Sequence, residues 1–395
     1  MGMNATLAAA ATRAAAPLAG TAPWYHAPRA ELLAPLSDKH AALLLPIAVY
    51  WLASLGFFVL DALALPFFER FRLHEPAEVT ARNRVSPARV AAMVAVQQVL
   101  QTAVGMLALE GDDVGRAQVF ADHDGAVARM ALRVAPYASA AAAPRLAAWL
   151  YWWGIPALQF AWAFFVMDAW QYGLHRLFHE SRFLYRHFHS HHHRLYVPYA
   201  FGALYNHPVE GLLLDSAGGA LAHLCARMTV RQGILLFTFS TYKTVCDHGG
   251  YAFPVWLDPL HLFFPNNAEY HDVHHQMQGL RYNFSQPFFV HFDVLFGTRM
   301  GAERFAKLKQ ASLEKRGTYG KQADASAGEK QAASSATATE PSPTRAADDL
   351  RRRKAFVGAA QDEASVETLL AGERGDPTVT TDAQSYRAKA GTAAA

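Results

Sequence analysis

The chain has 395 residues, of which 52% are hydrophobic and 12% aromatic, and its formal net charge at pH 7 is only +3. This small charge, without a basic stripe interleaved with aromatics, argues against nucleic-acid binding. Two cysteines are too few for a disulfide framework. Residues 1–40 and 301–395 are rich in small and charged residues, so we expect both to be disordered tails.

Three apolar segments between the tails are long enough to cross a hydrocarbon core of about 30 Å. They are Ala41–Phe68, Val90–Leu109 and Leu146–Trp170. In the second segment Gln97, Gln98 and Gln101 share one helix face, which we expect to point at protein rather than lipid. Residues 110–144 form an insert before the third segment. A fourth apolar region, 211–245, is interrupted by polar residues and predicts a re-entrant helical hairpin.

The arginines near the span ends predict the orientation. Five lie between the first and second spans and four follow the third, whereas residues 110–144 begin with an acidic stretch. Because cytosolic loops carry the excess of basic residues, we expect a cytosolic first loop and a lumenal insert. The predicted fold class is an all-α integral membrane bundle. Its transmembrane part is 41–168, and a cytosolic helical cap follows at 169–300.

Histidines are concentrated in this cap, where fifteen of the nineteen lie between Leu174 and Phe292. One H-x-x-x-H and two H-x-x-H-H clusters comprise His175, His179, His189, His192, His193, His271, His274 and His275. A buried imidazole must be hydrogen-bonded or ligated, and neutral imidazole is the commonest metal-ligating side chain. Residues four apart on a helix can share one metal. His189 and His192 are expected to share a face, and the adjacent His193 allows one cluster either to serve two metals or to give one metal a ligand and a supporting contact.

His248 follows the apolar hairpin and is the ninth candidate ligand. His207, before Pro208, is either a ligand or a structural residue, and the remaining histidines are assigned supporting or structural roles. Nine imidazoles exceed what one metal binds, so two metals are predicted. Zinc usually takes four ligands and has no redox chemistry, whereas a nitrogen-rich site suits iron. Five carboxylates are candidates to orient the imidazoles: Asp168, Glu180, Asp247, Glu269 and Asp272.

The three clusters on an apolar chain resemble the fatty acid hydroxylase superfamily. The flanking sequence narrows the resemblance to the sphingoid-base C4-hydroxylases of plants and fungi. It rests on LYRHFHSHHHRLYVPYAFGALYNHPVEGLLL at 184–214, NNAEYHDVHHQ at 266–276 and YNFSQPFF at 282–289. The resemblance covers about residues 43–300 and implies a catalytic domain at 169–300.

The resemblance implies a sphinganine C4-monooxygenase with a non-haem di-iron site. O₂, and electrons from NAD(P)H through cytochrome b5 and its reductase, would serve to hydroxylate C4 of a sphingoid base or ceramide. The eight clustered histidines carry over as catalytic and metal-ligating residues. His248 carries over as a ninth metal ligand, although Cys246 stands where the family is expected to have an acid. The implied location is the endoplasmic reticulum membrane, with the active site facing the cytosol.

Other functions remain open from the residues alone. Sterol C5 desaturation and fatty-acyl 2-hydroxylation use the same scaffold and are separated only by the flanking resemblance. A membrane metal transporter is a different class, but transporters usually place ligands midway across spans and repeat their halves. Four polar residues are candidates for binding a lipid head group: Arg194, Tyr196, Tyr199 and Asn206.

Overall fold

The computed structural model describes residues 22–26, 28–301, 303–312 and 314. The chain divides after Arg299 into two units. In the second unit residues 303–312 are helical. Most of the predicted C-terminal tail, and residues 1–21 of the predicted N-terminal tail, lie outside the described residues. Everything that follows concerns the first unit.

The described part of the first unit contains fourteen α-helices and no β-strand, which confirms the all-α expectation. The α-helices are α1 Asp38–Leu63, α2 Pro66–Glu69, α3 Pro76–Arg82, α4 Pro87–Ala108, α5 Asp112–Val119, α6 His123–Val134, α7 Ala143–Trp149, α8 Ile155–Glu180, α9 Arg182–His187, α10 Pro208–Gly211, α11 Gly218–Cys225, α12 Val230–Asp247, α13 Ala268–His275 and α14 His291–Leu295. Two π-helical turns, Leu150–Gly154 and Leu212–Ala217, continue α7 into α8 and α10 into α11. Short 3₁₀ helices are Ala135–Tyr137, His189–Arg194, Ala200–Gly202, Pro259–Leu262 and Met277–Gly279.

Three helices are long and apolar enough to cross a membrane: α1, α4 and the continuous helix 143–180. They confirm the three predicted spans and indicate a membrane protein. The predicted end of the first span was wrong by five residues, because α1 stops at Leu63. Ala64 adopts a left-handed conformation with φ 45°, and Pro66 starts a new helix. The start of α1 is fixed by Ser37, whose side chain accepts the backbone N–H of His40.

The glutamines of α4 face protein, as predicted. Gln97 and Gln98 are 1% and 6% exposed. The Nε1 atom of Trp51 on α1 donates to Gln98 Oε1 at 2.9 Å, and Gln101 Nε2 donates to the carbonyl of Gly211 at 3.1 Å. Polar side chains therefore tie the second span to the first span and to the hairpin.

The region 211–245 consists of two helical arms joined by a turn at Arg227. The arm ending in α11 packs on α8, whereas α12 packs along α1. A capping box between Thr229 and Gln232 fixes the start of α12. The insert 110–144 contains α5 and α6. The re-entrant path of the hairpin and the lumenal side of the insert stay predictions.

Candidate metal centre

Four chain segments bring the nine predicted ligands together. The last turns of α8 carry His175 and His179, and the 3₁₀ helix after α9 carries the first H-x-x-H-H. His248 is the C-terminal cap of α12, and α13 carries the second H-x-x-H-H. Asn267 caps α13 by accepting the Tyr270 backbone N–H at 2.9 Å. All nine imidazoles are buried except that of His179, which is partly buried.

The nine histidines form two adjacent groups, and within each group the ligand atoms lie within 4.8 Å of one another. The first group, of five, is His175, His179, His189, His193 and His274. The second group, of four, is His192, His248, His271 and His275. The groups adjoin, since the ring centroids of His193 and His275 are 4.9 Å apart. The arrangement suits two metals, as the sequence predicted.

Each H-x-x-H-H motif divides between the two groups in the same way. The first and last histidines, four residues apart, join one group and the middle histidine joins the other. His189 and His192 have ring centroids 5.7 Å apart and planes inclined by only 30°, as expected for residues three apart in a 3₁₀ helix. They nevertheless belong to different groups. Two histidines on the same face of this helix therefore do not belong to the same group.

Backbone carbonyls fix the orientation of five of these imidazoles. A carbonyl oxygen can only accept, so a ring nitrogen beside one carries the proton and the other ring nitrogen presents its lone pair. The Nδ1 atoms donate to carbonyl oxygens at 2.7–3.2 Å, as His175 to Phe284, His192 to Tyr205, His248 to Thr244, His274 to Tyr282 and His275 to Leu195. In each ring the Nε2 lone pair is thus left for a metal. Such hydrogen bonds to the second ring nitrogen are typical of ligating histidines.

The spacing of the inward nitrogens fits metal binding. In the second group the Nε2 atom of His271 lies 3.0 Å from the Nε2 atoms of both His248 and His275. Two imidazole nitrogens bound to one metal at about 2.1 Å are about 3 Å apart when the bonds meet at a right angle. Three of the four Nε2 atoms carry inward lone pairs, so a single proton on His271 cannot pair with all of them. A cation bound between the four rings would.

Burial keeps the imidazoles in the form that binds metal. Desolvation lowers the pKa of His189, His192 and His248 to about 3, because a charged ring in this interior lacks solvation. The rings are therefore neutral at pH 7, and neutral imidazole is the ligating species.

The loop before α14 is held in place by a buried carboxylate. Asp293, which is fully buried, accepts the backbone N–H groups of Phe284 at 3.0 Å and Ser285 at 2.7 Å and the Tyr270 hydroxyl at 2.8 Å. The carbonyl of Phe284 in turn orients His175. Asp293 therefore fixes the metal centre through the backbone rather than by touching a ligand.

The five carboxylates predicted to orient the imidazoles do not do so. No described hydrogen bond joins a histidine of either group to Asp168, Glu180, Asp247, Glu269 or Asp272. Asp168 instead accepts the backbone N–H groups of Phe288 and Phe289, and Asp247 pairs with the buried Lys243. Sequence proximity to a histidine was a poor guide because a carboxylate on the adjacent helical position points to a different side.

Glu210 is the carboxylate that the sequence reasoning missed. It is completely buried, and its Oε1 atom pairs with Nδ1 of His189. Burial raises the pKa of Glu210 to about 8. A carboxylate within an apolar helical segment was the available signal, because such a residue is costly unless it has a specific partner.

His74 makes a second contact that the sequence reasoning missed. Its Nε2 atom lies 2.8 Å from Asp272 on α13, the helix with the second H-x-x-H-H, and its Nδ1 atom lies 3.3 Å from Glu78. Arg82 closes the network by contacting Glu78 and Gln276. The first interhelical loop therefore packs over α13.

The other six histidines of the cap lie outside both groups: His187, His191, His207, His223, His261 and His291. His207 is structural at the start of α10, where its Nδ1 atom accepts the Val209 backbone N–H at 3.2 Å. His261 pairs with Asp258 at 3.3 Å.

Comparison with known proteins matches residues 160–298 to the family described as fatty acid hydroxylase. The sphingolipid C4-hydroxylase of Schizosaccharomyces pombe is 44% identical over 277 residues, which are 68% of this chain and 91% of that protein. The chain belongs to the fatty acid hydroxylase family. Sphinganine C4-monooxygenase 1 of Arabidopsis thaliana is 44% identical over 269 residues, covering 67% of this chain and 89% of that protein.

A relative with a different name matches nearly as well. A very-long-chain aldehyde decarbonylase of Oryza sativa is 42% identical over 269 residues, covering 67% of this chain and 90% of that protein. No solved structure matches the chain. The matched family region contains all nine histidines of the two groups, and family membership and the histidine clusters are together consistent with non-haem iron.

Proposed function

We propose that this protein is a sphinganine C4-hydroxylase that inserts one oxygen atom of O₂ at C4 of a dihydrosphingosine or dihydroceramide chain. The observation that carries the proposal is the convergence of nine imidazoles into two adjoining groups, in which five rings have an Nε2 lone pair left for a metal. The choice of reaction is supported by the 44% identity to a sphingolipid C4-hydroxylase over 91% of that relative.

The proposed ligands are the nine histidines of the two groups, and the eight from the three clusters are the proposed catalytic residues. Two iron ions, when bound, supply the redox chemistry that activates O₂. The five imidazoles of one group exceed the usual four-coordinate zinc site, and the four of the other group would fill it completely. The chain's own part is to keep the rings neutral, orient each lone pair and exclude water.

The reaction requires an outside reductant. One oxygen atom enters the substrate and the other leaves as water, so each turnover consumes two electrons and two protons. NAD(P)H, through its reductase and cytochrome b5, is the proposed source. A cytosolic site in the endoplasmic reticulum membrane makes this delivery possible. That orientation is supported by His175 and His179, which lie in the last turns of the third candidate span next to arginine-rich segments.

The second candidate function is aldehyde decarbonylation, favoured by the 42% identity to the rice relative. Both candidates need the same histidine groups, so the metal site cannot separate them. Their products do, because one retains the carbon chain and adds a hydroxyl group, whereas the other shortens the chain.

The test is expression in Saccharomyces cerevisiae cells that lack their own C4-hydroxylase, with long-chain bases, sterols, fatty acids and alkanes read by mass spectrometry. We expect the native chain to restore phytosphingosine-type bases and His271→Ala to restore none. The matched control is His187→Ala, because His187 lies in the same cap but outside both groups. Iron bound per purified chain gives a readout independent of turnover.

Two outcomes would overturn the proposal in different ways. A membrane-inserted, iron-loaded chain that yields alkanes or altered sterols and no phytosphingosine would replace the reaction but keep the metal centre. Full activity of the His271→Ala variant would remove the metal centre from the chemistry.

A further inference from the structure

A cavity of about 370 Å³ lies between α1, the start of α4 and the segment 197–201. Its volume is within the range of small-molecule sites, about 300–1,000 Å³. Its walls are mostly apolar, with Phe58 and Ala91 from the two spans and Val197 and Phe201 from the cap. Such a shape and composition suit an amphiphile better than a small polar metabolite.

The position of the cavity is that of a membrane interface. Residues 54–61 belong to the last turns of α1, and Pro87 begins α4, so the cavity is at the ends of two candidate spans. Phe58 lines the cavity and is also 56% exposed on the surface of α1. An alkyl chain can therefore continue from the cavity past Phe58 into surrounding lipid.

The cavity is linked to the second histidine group through neighbouring residues, although none of the nine histidines lines it. Gly249 and Gly250 line it and directly follow His248. His74, another lining residue, contacts Asp272, which is adjacent to His271. The opposite wall belongs to the segment whose Leu195 carbonyl orients His275. The cavity wall is thus formed in part by residues that flank the four-imidazole group or contact its neighbours.

Two buried hydroxyls in this cavity have no hydrogen-bond partner in the described structure: Ser54 Oγ and Tyr199 OH. Ser54 is completely buried. A buried polar atom without a partner is costly and needs an explanation. The other polar lining side chains are already paired. Asp61 contacts Arg72 at 2.8 Å and Tyr251 at 2.7 Å, and His74 has carboxylates on both ring nitrogens.

We propose that this cavity binds the hydroxylated head of the lipid substrate, with Ser54 and Tyr199 as substrate-positioning residues. The inference rests on the proposed C4-hydroxylase function. In the substrate, C4 is bonded to C3, which carries a hydroxyl group, so the head must lie within a few bonds of the reacting carbon. A head-group site whose wall includes the two residues that follow His248 is consistent with this requirement. Of the four head-group candidates from the sequence, only Tyr199 lines the cavity.

The shared chemistry is a vicinal amino-alcohol or amido-alcohol with free hydroxyls on a saturated chain. Both the free base and its N-acyl form have it, so the experiment includes both. Full-length protein in nanodiscs is labelled with a photoactivatable sphinganine, and in parallel with the corresponding dihydroceramide, each with a diazirine next to the head. Labelled peptides are then mapped. The same preparations, supplied with reductant, give apparent KM and kcat.

We expect labelling within residues 50–61 and 197–205 for the form that is the substrate. Ser54→Ala and Tyr199→Phe should each raise the apparent KM about 2- to 12-fold, the range for losing one hydrogen bond. The kcat value should stay near that of the native chain, because the lost contact is made equally in the ground and transition states. Ser54→Leu, which fills the cavity, should abolish labelling. Tyr137→Phe, at a residue 90% exposed, is the matched control and should leave KM unchanged.

The results separate this inference from the proposed function. Labelling confined to the hairpin 211–245 or to residues 284–296, together with unchanged KM values in both variants, would overturn the head-group site while C4 hydroxylation stands. Labelling of the cavity by a chain that makes no phytosphingosine would keep the lipid site and overturn the reaction. Ser54→Thr retains a hydroxyl group. A KM near the native value in Ser54→Thr, together with a raised KM in Ser54→Ala, would show that a hydrogen bond rather than a general structural effect is lost.

Discussion

The contact between Glu210 and His189 gives the sharpest test of how the metal centre is held. Glu210→Ala removes the only carboxylate in the described structure that contacts a histidine of either group. His189 Nδ1 is then left without an acceptor in a position that is 2% exposed. The ring can turn, and its Nε2 lone pair is no longer fixed towards His179 and His193.

The size of the effect follows from the burial. An unpaired buried donor costs about 1–3 kcal/mol, which is about a 5- to 160-fold loss in metal affinity. Substitutions that remove the hydrogen-bond partner of a ligating histidine typically cost about 10- to 100-fold. We therefore expect Glu210→Ala to weaken metal binding in the first group by about 10- to 100-fold. Glu210→Gln keeps an oxygen acceptor at the same reach, so its loss should stay below about tenfold.

The assay is iron retained per chain during titration with a chelator, measured by elemental analysis on purified protein. The matched control is Glu180→Ala, because Glu180 is exposed and its partner is Arg176. Equal iron retention in Glu210→Ala and Glu180→Ala would refute the orienting role of Glu210. A Glu210→Gln variant as weak as Glu210→Ala would show that an oxygen acceptor alone is not enough to hold His189.

Three further substitutions test the site and its frame. His192→Ala and His193→Ala each remove a proposed ligand from a different group, so each should lower the iron content from about two per chain towards one. The two losses should add in the double variant. A double variant with the same iron content as either single variant would refute the division into two groups. Lys243→Met leaves Asp247 buried and unpaired, and should lower the free energy of unfolding by about 3–5 kcal/mol, with Lys243→Met/Asp247→Leu recovering much of it in denaturant titrations. Gly279→Ala should prevent folding, because the added Cβ would lie 1.7 Å from a carbonyl oxygen of α13. Circular dichroism that shows a folded variant, with iron found by elemental analysis, would contradict this.

The sequence predicted which histidines cluster because their spacing is a local property. Four-residue separations place His271 and His275 on one side of α13, and this geometry needs no tertiary information. The partners of the imidazoles are different. The Leu195 carbonyl that orients His275 is 80 residues away along the chain, and every residue has a carbonyl, so no residue type marks it.

The end of the first span is another feature that the sequence alone did not predict. Hydropathy located α1, but its end depends on the left-handed conformation of Ala64. Nothing in the sequence marks Ala64 for this conformation, because alanine favours the right-handed α-helix. The glutamine face of α4 was predictable because buried amides need protein partners, and Gln98 and Gln101 have them. The unpartnered hydroxyls of Ser54 and Tyr199 required the cavity itself to be visible.

The division of each H-x-x-H-H motif between the two groups explains why one copy of the motif is not enough. The first copy gives two imidazoles to the five-membered group and one to the four-membered group, and the second copy does the reverse. Both histidine groups therefore draw on the same two backbone segments, which cannot separate without disturbing each group. Because the carbonyls of Leu195 and Tyr205 orient ligands from both segments, the apolar cluster that contains these two residues and packs on α1 also sets the geometry of the second group. The apolar cluster thus packs on the membrane helix α1, orients two imidazoles of the second group and contributes Ala200 to the wall of the cavity.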